Sequence, residues 1–166
     1  MVYNKYSHSE EDYLEAIYLI GLENEAVRVK DVAQAMGVTM PSVVAAIKSL
    51  SGKGLVEQEQ YGSIELTNAG NKVAQDVYKR HQTLYDLFSE VLGLEPEVAE
   101  RDACQVEHYL SPETGRRLSK MVEYIRSCPI GDKQAIFLER FRQYVKTGQK
   151  PEPCCGCPMN EAQEGL

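Results

Sequence analysis

Three helical stretches separated by short breaks restrict the fold of this chain more than any other feature. Apolar residues recur with helical spacing over residues 10–22, 28–36 and 40–50. Gly37 follows the second stretch, as is typical of a helix C-terminus, and leaves room only for a tight turn before the third. Two helices joined in this way indicate a helix-turn-helix, in which the third stretch is the recognition helix.

A hairpin is predicted directly after these helices. Residues 55–59 and 63–66 have the character of two short strands on either side of Tyr61-Gly62. Helix, helix, tight turn, helix and hairpin is the order of a winged helix-turn-helix, and Tyr61-Gly62-Ser63 would form the tip of the wing. Ser9 is expected to cap the first helix, since Asp12 follows it by three residues.

The rest of the chain returns to helical spacing. We predict further helices over residues 69–92, 96–110, 112–127 and 132–147. The fold class is therefore mainly α, with an N-terminal winged helix-turn-helix in residues 1–72 and an α-helical domain in residues 73–148. Residues 149–166 form a polar tail with Cys154, Cys155 and Cys157, which we expect to be loose or to bind a metal ion or pair across a dimer.

Composition describes a globular chain with an acidic balance. The 166 residues are 43% hydrophobic and 26% charged, with a net charge of −7. No apolar run approaches the roughly 18 residues of a membrane span, and no signal peptide is recognised, so a cytoplasmic protein without membrane contact is expected. The negative charge is unusual for a nucleic-acid binder. It also suggests that several carboxylates are available for cations.

The strongest chemical signal is the segment Cys104-Gln105-Val106-Glu107-His108. On an α-helix, positions i, i+3 and i+4 share a face, so a thiol, a carboxylate and an imidazole would converge there. The apolar residues of the same helix are expected to pack on a separate side; these are Val98, Ala103, Val106 and Leu110. Two further segments offer partners: Asp12 and Glu15 are carboxylates three residues apart, and His81 lies within the long fourth helix.

Each of these features also has a simpler structural explanation. Acidic pairs are common on solvated surfaces, a single histidine is more often a surface or core residue, and a cysteine is frequently a small buried residue. An exposed Cys104 would instead be unusual without a purpose. Three functions therefore remain open from the residues alone. The first is a metal-activated winged-helix regulator, the second is a regulator that answers to an organic ligand or to cysteine oxidation, and the third is a metallohydrolase.

The ordered motifs resemble the diphtheria toxin repressor family of metal-dependent transcriptional repressors, including its manganese-transport-regulator branch. The resemblance runs from about Ser9 to Gly131. The motifs that carry it are Glu11-Asp12-Tyr13-Leu14-Glu15-Ala16-Ile17-Tyr18, Pro41-Ser42-Val43, Lys53-Gly54-Leu55-Val56, Leu66-Thr67-Asn68-Ala69-Gly70, Arg80-His81, Cys104-Gln105-Val106-Glu107-His108 and Ser111-Pro112-Glu113. It implies a homodimer that binds operator DNA and represses genes of metal-ion homeostasis, with no enzymatic activity and no organic substrate. It also implies that the helical domain binds the metal and forms the dimer.

The resemblance further implies a ligand set of mixed character. Asp12 and Glu15 match ligands of the manganese branch, and Cys104 matches a ligand of the iron branch. His81, Glu107 and His108 match both. Glu100 falls where the iron branch has a histidine of an ancillary site.

Carboxylates suit Mn(II), whereas a thiolate favours Fe(II) and softer ions. We therefore expect Fe(II) or Mn(II) as the cofactor, with a preference for Fe(II). Co(II), Ni(II) and Zn(II) are expected to bind in vitro.

The recognition helix is poor in long polar side chains. We expect DNA contacts from its first turns and from the wing, made by Thr39, Pro41, Ser42, Ala45, Lys48, Tyr61 and Ser63. Direct hydrogen bonds to base edges would be few, so water-mediated contacts and DNA shape are expected to contribute strongly to operator recognition.

Overall fold

The computed structural model describes residues 5–58, 62–127 and 132–149, with side chains for all of these except residues 132–137. Within these ranges there are seven α-helices and one two-stranded sheet. In chain order they are α1 (His8–Glu23), α2 (Val29–Met36), α3 (Met40–Gly52), β1 (Val56–Gln58), β2 (Ile64–Leu66), α4 (Asn68–Asp86), α5 (Pro96–Val106), α6 (Pro112–Ser127) and α7 (Asp132–Thr147). The prediction of a mainly α fold with an N-terminal winged helix-turn-helix and a helical second part is confirmed.

Helix α1 begins two residues earlier than the sequence predicted. Ser7, and not Ser9, is its N-cap, so that prediction was wrong. The Ser7 hydroxyl accepts from the Glu10 amide at 3.3 Å, and the Glu10 carboxylate accepts from the Ser7 amide at 3.2 Å. Because this capping box is reciprocal, it satisfies two backbone donors, whereas Ser9 lies inside the first turn. Glu10 also pairs with Lys53 at the end of α3.

The winged-helix part has one apolar core, built where α1, α2, α3 and the sheet meet. Helix α1 contributes Tyr13, Leu14 and Ile17. The other buried members are Val27, Val32, Ala33, Val43, Ile47, Leu50, Leu55, Val56, Ile64 and Ala74. Burying a side chain such as Leu14 contributes about 2 kcal/mol relative to leaving it exposed, so this core fixes α1 against the recognition helix.

The wing is an antiparallel hairpin. Strand β1 pairs with β2 in a register that sets Val56 opposite Leu66 and Gln58 opposite Ile64. The Ile64 amide also donates to the carbonyl oxygen of Val27, which precedes α2, at 2.8 Å. This bond anchors the base of the wing to the helix-turn-helix. The predicted strand residue Glu59 and the predicted tip residue Tyr61 lie outside the described residues.

The first turn of α4 is in direct contact with the backbone at the base of the wing. Thr67 caps the helix by accepting from the Gly70 amide at 3.0 Å, and its hydroxyl donates to the Gly54 carbonyl oxygen at 2.8 Å. Gly70 faces Leu55 so closely that an added Cβ would lie 1.9 Å from the Leu55 carbonyl oxygen. The first turn of α4 therefore packs directly against the backbone of Leu55, the residue before β1.

The fourth and fifth helices end differently from the sequence prediction. Helix α4 ends at Asp86 and continues as a π-helical segment, Leu87–Val91, in place of an α-helix to residue 92. Helix α5 ends at Val106 and tightens into a 3-10 turn, Glu107–Tyr109, in place of an α-helix to residue 110. A second buried set packs in this helical part; its members are Val77, Leu84, Ala99, Ala103 and Val122.

Among the helices that the structure describes, none combines the length and the apolar character needed to cross a membrane.

The close approach of Gly70 to Leu55 generates a stability prediction. Gly70→Ala should lower the free energy of unfolding by about 3 kcal/mol, because the new methyl group overlaps a backbone carbonyl that cannot rotate away. The matched control is Gly52→Ala, where nothing lies within 4 Å of the added Cβ and no loss is expected. Urea unfolding of both variants at equal protein concentration measures the difference. Equal stability of the two variants would contradict the close packing of α4 on the wing.

Candidate metal centre

Helix α1 presents three carboxylates to the second half of the molecule. Glu11 and Glu15 are one helical turn apart and Asp12 lies between them, so all three reach the same side of the helix. Glu11 is buried, and Asp12 and Glu15 are half-buried. The other face of α1 packs into the winged-helix core, where Tyr13, Leu14 and Ile17 are buried.

The partners come from α4 and from the 3-10 turn that follows α5. His81 is buried on α4, and Glu107 and His108 are buried in the turn. Ala99, Ala103 and Glu107 recur every fourth residue, so Glu107 continues the buried face of α5. Its carboxylate is thus carried into the space between α1 and α4.

Two groups of metal-competent atoms result, and they share one member. One ligand atom each from Asp12, Glu107 and His108 lies within 4.8 Å of the others. The same holds for Glu15, His81 and Glu107. Glu107 has one carboxylate oxygen toward each group: Oε2 lies 2.9 Å from His81 Nδ1, and Oε1 lies 3.4 Å from His108 Nε2.

The environment raises the pKa values of three members. Burial, followed by the charge of Glu107, raises the pKa of Glu15 to about 7. The hydrogen bond with Glu107 raises the pKa of His81 to about 9 despite burial. For His108, burial lowers the pKa, but hydrogen bonds with Asp12 and Glu11 outweigh it and raise the value to about 10. A metal ion and protons therefore compete for the same atoms.

These residues fit a divalent cation. Glu107 is fully buried, and its Oε1 atom has no hydrogen-bond donor among the described residues. A buried carboxylate oxygen without a donor is costly, and a cation at that atom removes the cost. Carboxylate oxygens and imidazole nitrogens are the donors that Mn(II) and Fe(II) accept.

Cys104 does not join either group, although the sequence placed it with Glu107 and His108. Cys104 is exposed, whereas Glu107 and His108 are buried. Cys104 lies one residue beyond Ala103, which is about 100° around the axis of α5 from the buried face that Ala99, Ala103 and Glu107 share. Burial, followed by the negative charge of Glu107, raises the pKa of the Cys104 thiol.

The packing expected for the apolar residues of α5 was wrong in part. Ala103 is buried as expected, but Val106 is exposed and Val98 only half-buried. Ala99 takes the buried place instead, because it precedes Ala103 and Glu107 at four-residue spacing. The predicted ancillary residue Glu100 is exposed, and its Oε2 lies 3.3 Å from His81 Nε2.

Three residues near the centre were not selected from the sequence. Glu11 accepts from His108 Nδ1 at 2.8 Å and from Arg80 Nη2 at 3.0 Å. The ring of His8 stacks on that of His108 at 4.9 Å between centroids. Glu11 could have been selected from the sequence by its i, i+4 spacing to Glu15, which places both carboxylates on one helix face. It lies, however, in an acidic run that resembles a solvated surface.

The recognition helix exposes the side that the sequence assigned to DNA. Pro41, Ser42, Ala45 and Lys48 are exposed, while Val43, Ile47 and Leu50 are buried in the core. The Thr39 hydroxyl caps the helix by accepting from the Ser42 amide. Ser63 of the wing donates to the Glu65 carboxylate at 3.2 Å. Tyr61 lies outside the described residues.

Family models match both parts of the chain. Residues 5–64 match the N-terminal DNA-binding domain of iron-dependent repressors, and residues 67–135 match their metal-binding and dimerisation domain. The chain belongs to the diphtheria toxin repressor family of metal-dependent transcriptional repressors. The resemblance drawn from the sequence motifs is thereby confirmed.

Individual relatives agree with this assignment. The transcriptional regulator MntR of Escherichia coli O6:H1 is 39% identical over 104 residues, which is 63% of this chain and 66% of that protein. An HTH-type transcriptional regulator of Methanocaldococcus jannaschii is 36% identical over 140 residues, which is 84% of this chain and 99% of that protein. The solved structure of the manganese regulator SloR has a TM-score of 0.63 at 28% identity, and the match covers 72% of this chain and 56% of that one.

The shared position of Glu107 leads to a test of the two ligand groups. Glu107→Gln should weaken Mn(II) binding at both groups, by more than the 10- to 100-fold that is typical for loss of an outer-shell partner. Asp12→Asn and Glu15→Gln should each weaken only the group to which the residue belongs. Equilibrium dialysis with metal analysis counts the bound ions. The same loss of stoichiometry in all three variants would contradict two groups joined by one carboxylate.

Proposed function

We propose that the protein is a homodimeric, metal-activated transcriptional repressor that binds operator DNA when loaded with Mn(II) or Fe(II). The observation that carries this proposal is the pair of ligand groups joined by Glu107, because their members come from both functional parts of the chain. Asp12 and Glu15 belong to a helix of the winged-helix core, and His81, Glu107 and His108 belong to the helical part. DNA is the expected partner, and repression of metal-homeostasis genes the expected outcome. No enzymatic reaction is proposed.

The ligand atoms of the two groups favour Mn(II) over Fe(II). Carboxylates and imidazoles make up both groups, and the thiol of Cys104 stands outside them. Such oxygen-rich sites suit Mn(II), whereas Fe(II) and softer ions gain more from a thiolate. The related MntR and SloR proteins, the latter named as a manganese regulator, support the same preference. We therefore place Mn(II) first and Fe(II) second. Two groups also support two cations in each subunit.

The mechanism follows from where α1 is held. A bound divalent cation supplies positive charge that offsets repulsion among the carboxylates of the centre. Asp12 and Glu15 are rigidly connected to Tyr13, Leu14 and Ile17, which pack in the same core as the recognition helix. A shift of the α1 backbone at these residues would therefore move α3 relative to the helical part. In a dimer, this sets the separation of the two recognition helices, which must match successive major grooves roughly 34 Å apart.

The exposed side of α3 is proposed to enter the major groove. Pro41 and Ala45 offer apolar contacts to thymine methyl groups, and Ser42 and Lys48 offer hydrogen bonds or phosphate contacts. Thr39, Ser63 and Tyr61 are proposed to add contacts from the helix start and the wing. Since the chain is acidic overall, loading with cations also reduces its repulsion from phosphates.

Operator binding should depend on the metal centre. Operators are first selected from random-sequence duplexes with Mn(II)-loaded protein and are then titrated anaerobically with Mn(II), with Fe(II) or with a chelator. We expect metal to tighten binding by about 5- to 150-fold, the usual range for coupled sites, and the chelator to reverse this. Glu107→Gln should abolish the metal effect, while the exposed Glu23→Gln on α1 should retain it. Binding that is unchanged by chelator would favour a regulator of organic ligands or of cysteine oxidation.

The role of Cys104 can be tested separately by spectroscopy. If the thiol stays outside both ligand groups on metal loading, any thiolate-to-cobalt charge-transfer absorption of the Co(II) protein in the near ultraviolet should be the same in the wild type and in Cys104→Ser, since the tail cysteines Cys154, Cys155 and Cys157 are present in both. Cys104→Ser should then bind Mn(II) with unchanged affinity. A strong charge-transfer band in the wild type, lost in Cys104→Ser, would instead show the thiol as a ligand and would restore the preference for iron.

A further inference from the structure

We propose that Glu11 and Arg80 are a positioning pair that fixes the tautomer and orientation of His108 and so determines which of its nitrogens is offered to metal. This inference rests on the proposed function and deepens it, because it assigns roles to two residues outside both ligand groups. Neither of them needs to touch the cation. Both act through His108.

The contacts of Glu11 carry the argument. Its Oε2 atom lies 2.8 Å from His108 Nδ1 and 3.0 Å from Arg80 Nη2. The side chains of Glu11 and His108 are each 5% exposed, and that of Arg80 is 18% exposed. One carboxylate oxygen thus receives two donors in a site that is largely closed to water. Hydrogen bonds between charged partners in such surroundings are strong and hold their geometry.

The two ring nitrogens of His108 each face a carboxylate, but only one of these carboxylates lies outside the ligand groups. The hydrogen bond with Glu11 keeps a hydrogen on Nδ1, because an ionised carboxylate can only accept. A cation in the first ligand group would therefore take the place only of a hydrogen on Nε2. That atom lies 2.8 Å from Asp12 Oδ1 and 3.4 Å from Glu107 Oε1, within the first ligand group. A carboxylate behind a metal-binding histidine also raises the basicity of the ring.

Arg80 explains why Glu11 does not act like its neighbours on α1. Glu11, Asp12 and Glu15 have the same ligand chemistry, yet only the latter two have an oxygen in a ligand group. The guanidinium of Arg80 neutralises Glu11 and draws the carboxylate toward α4. A buried carboxylate without this partner would add a further negative charge to an already crowded centre.

The pair also connects three elements without the help of a metal ion. Glu11 is on α1, Arg80 is on α4 and His108 is in the turn after α5. Glu11 therefore provides a fixed point about which Asp12, the next residue, can adjust.

The experiment must separate positioning from simple stabilisation. Glu11→Ala removes the acceptor, Glu11→Gln keeps an accepting carbonyl oxygen of the same shape, and Glu23→Gln on the same helix is the control. The tautomer of His108 is read from long-range ¹H–¹⁵N spectra of the Zn(II)-loaded full-length protein. Mn(II) affinity is measured in parallel, with unfolding recorded to show that each variant is folded.

We expect wild-type His108 to keep its hydrogen on Nδ1 and to bind Zn(II) through Nε2. Glu11→Ala should bind Mn(II) about 10- to 100-fold more weakly, as is typical for loss of an outer-shell partner, and Glu11→Gln should recover part of this loss. A purely structural role would lower stability and leave the affinity of the folded protein unchanged.

Two results would overturn the positioning role. One is metal coordination through Nδ1 in the wild type, which can be observed even if every variant fails to fold. The other is a folded Glu11→Ala variant with wild-type affinity and tautomer. Failure of the proposed function is distinguishable from both, because the wild-type protein itself would then not bind Mn(II).

Discussion

The burial of the Glu107 carboxylate is the constraint on which the rest of the structure depends. A carboxylate removed from water costs several kcal/mol unless nearby groups supply positive charge or hydrogen bonds. Here those groups are His81 and His108, and Oε1 still has no hydrogen-bond donor within the part of the chain that the structure describes. Because the partners lie on different elements, α1, α4 and the turn after α5 must converge on one point. The small residues Ala99 and Ala103 permit this, since they let α5 approach α4 closely.

The fold was largely readable from the sequence because its local signals agree with one another. Thr67 is an effective cap, Gly37 ends α2 in the left-handed conformation, and apolar spacing marks every helix. The errors arose where two local solutions are nearly equal. Ser7 and Ser9 are both competent caps, and only the reciprocal bond with Glu10 decides between them. The tightening after Val106 has no local marker, because the helical pattern continues to Leu110; the buried contacts of the turn impose it.

The candidate centre was predictable in residue type but not in detail. Spacing and resemblance selected Asp12, Glu15, His81, Glu107 and His108, and the structure brings all five together. The division into two groups required coordinates, since the two oxygens of Glu107 point toward different partners. Glu11 could not be separated from its acidic neighbours by pattern, because only the tertiary contact with Arg80 distinguishes it. The exposure of Cys104 depends on which side of α5 packs inward, and the spacing of the apolar residues predicted a different side.

Helix α4 makes two contacts that depend on each other. Gly70 packs at the base of the wing, and His81 reaches the metal centre, so the number of residues between Gly70 and His81 is fixed. Gly70 must face Leu55, and His81 lies 11 residues later, which is about three full helical turns. One inserted or deleted residue between them would rotate the imidazole by roughly 100° around the helix axis. The first three turns of α4 therefore have a fixed length.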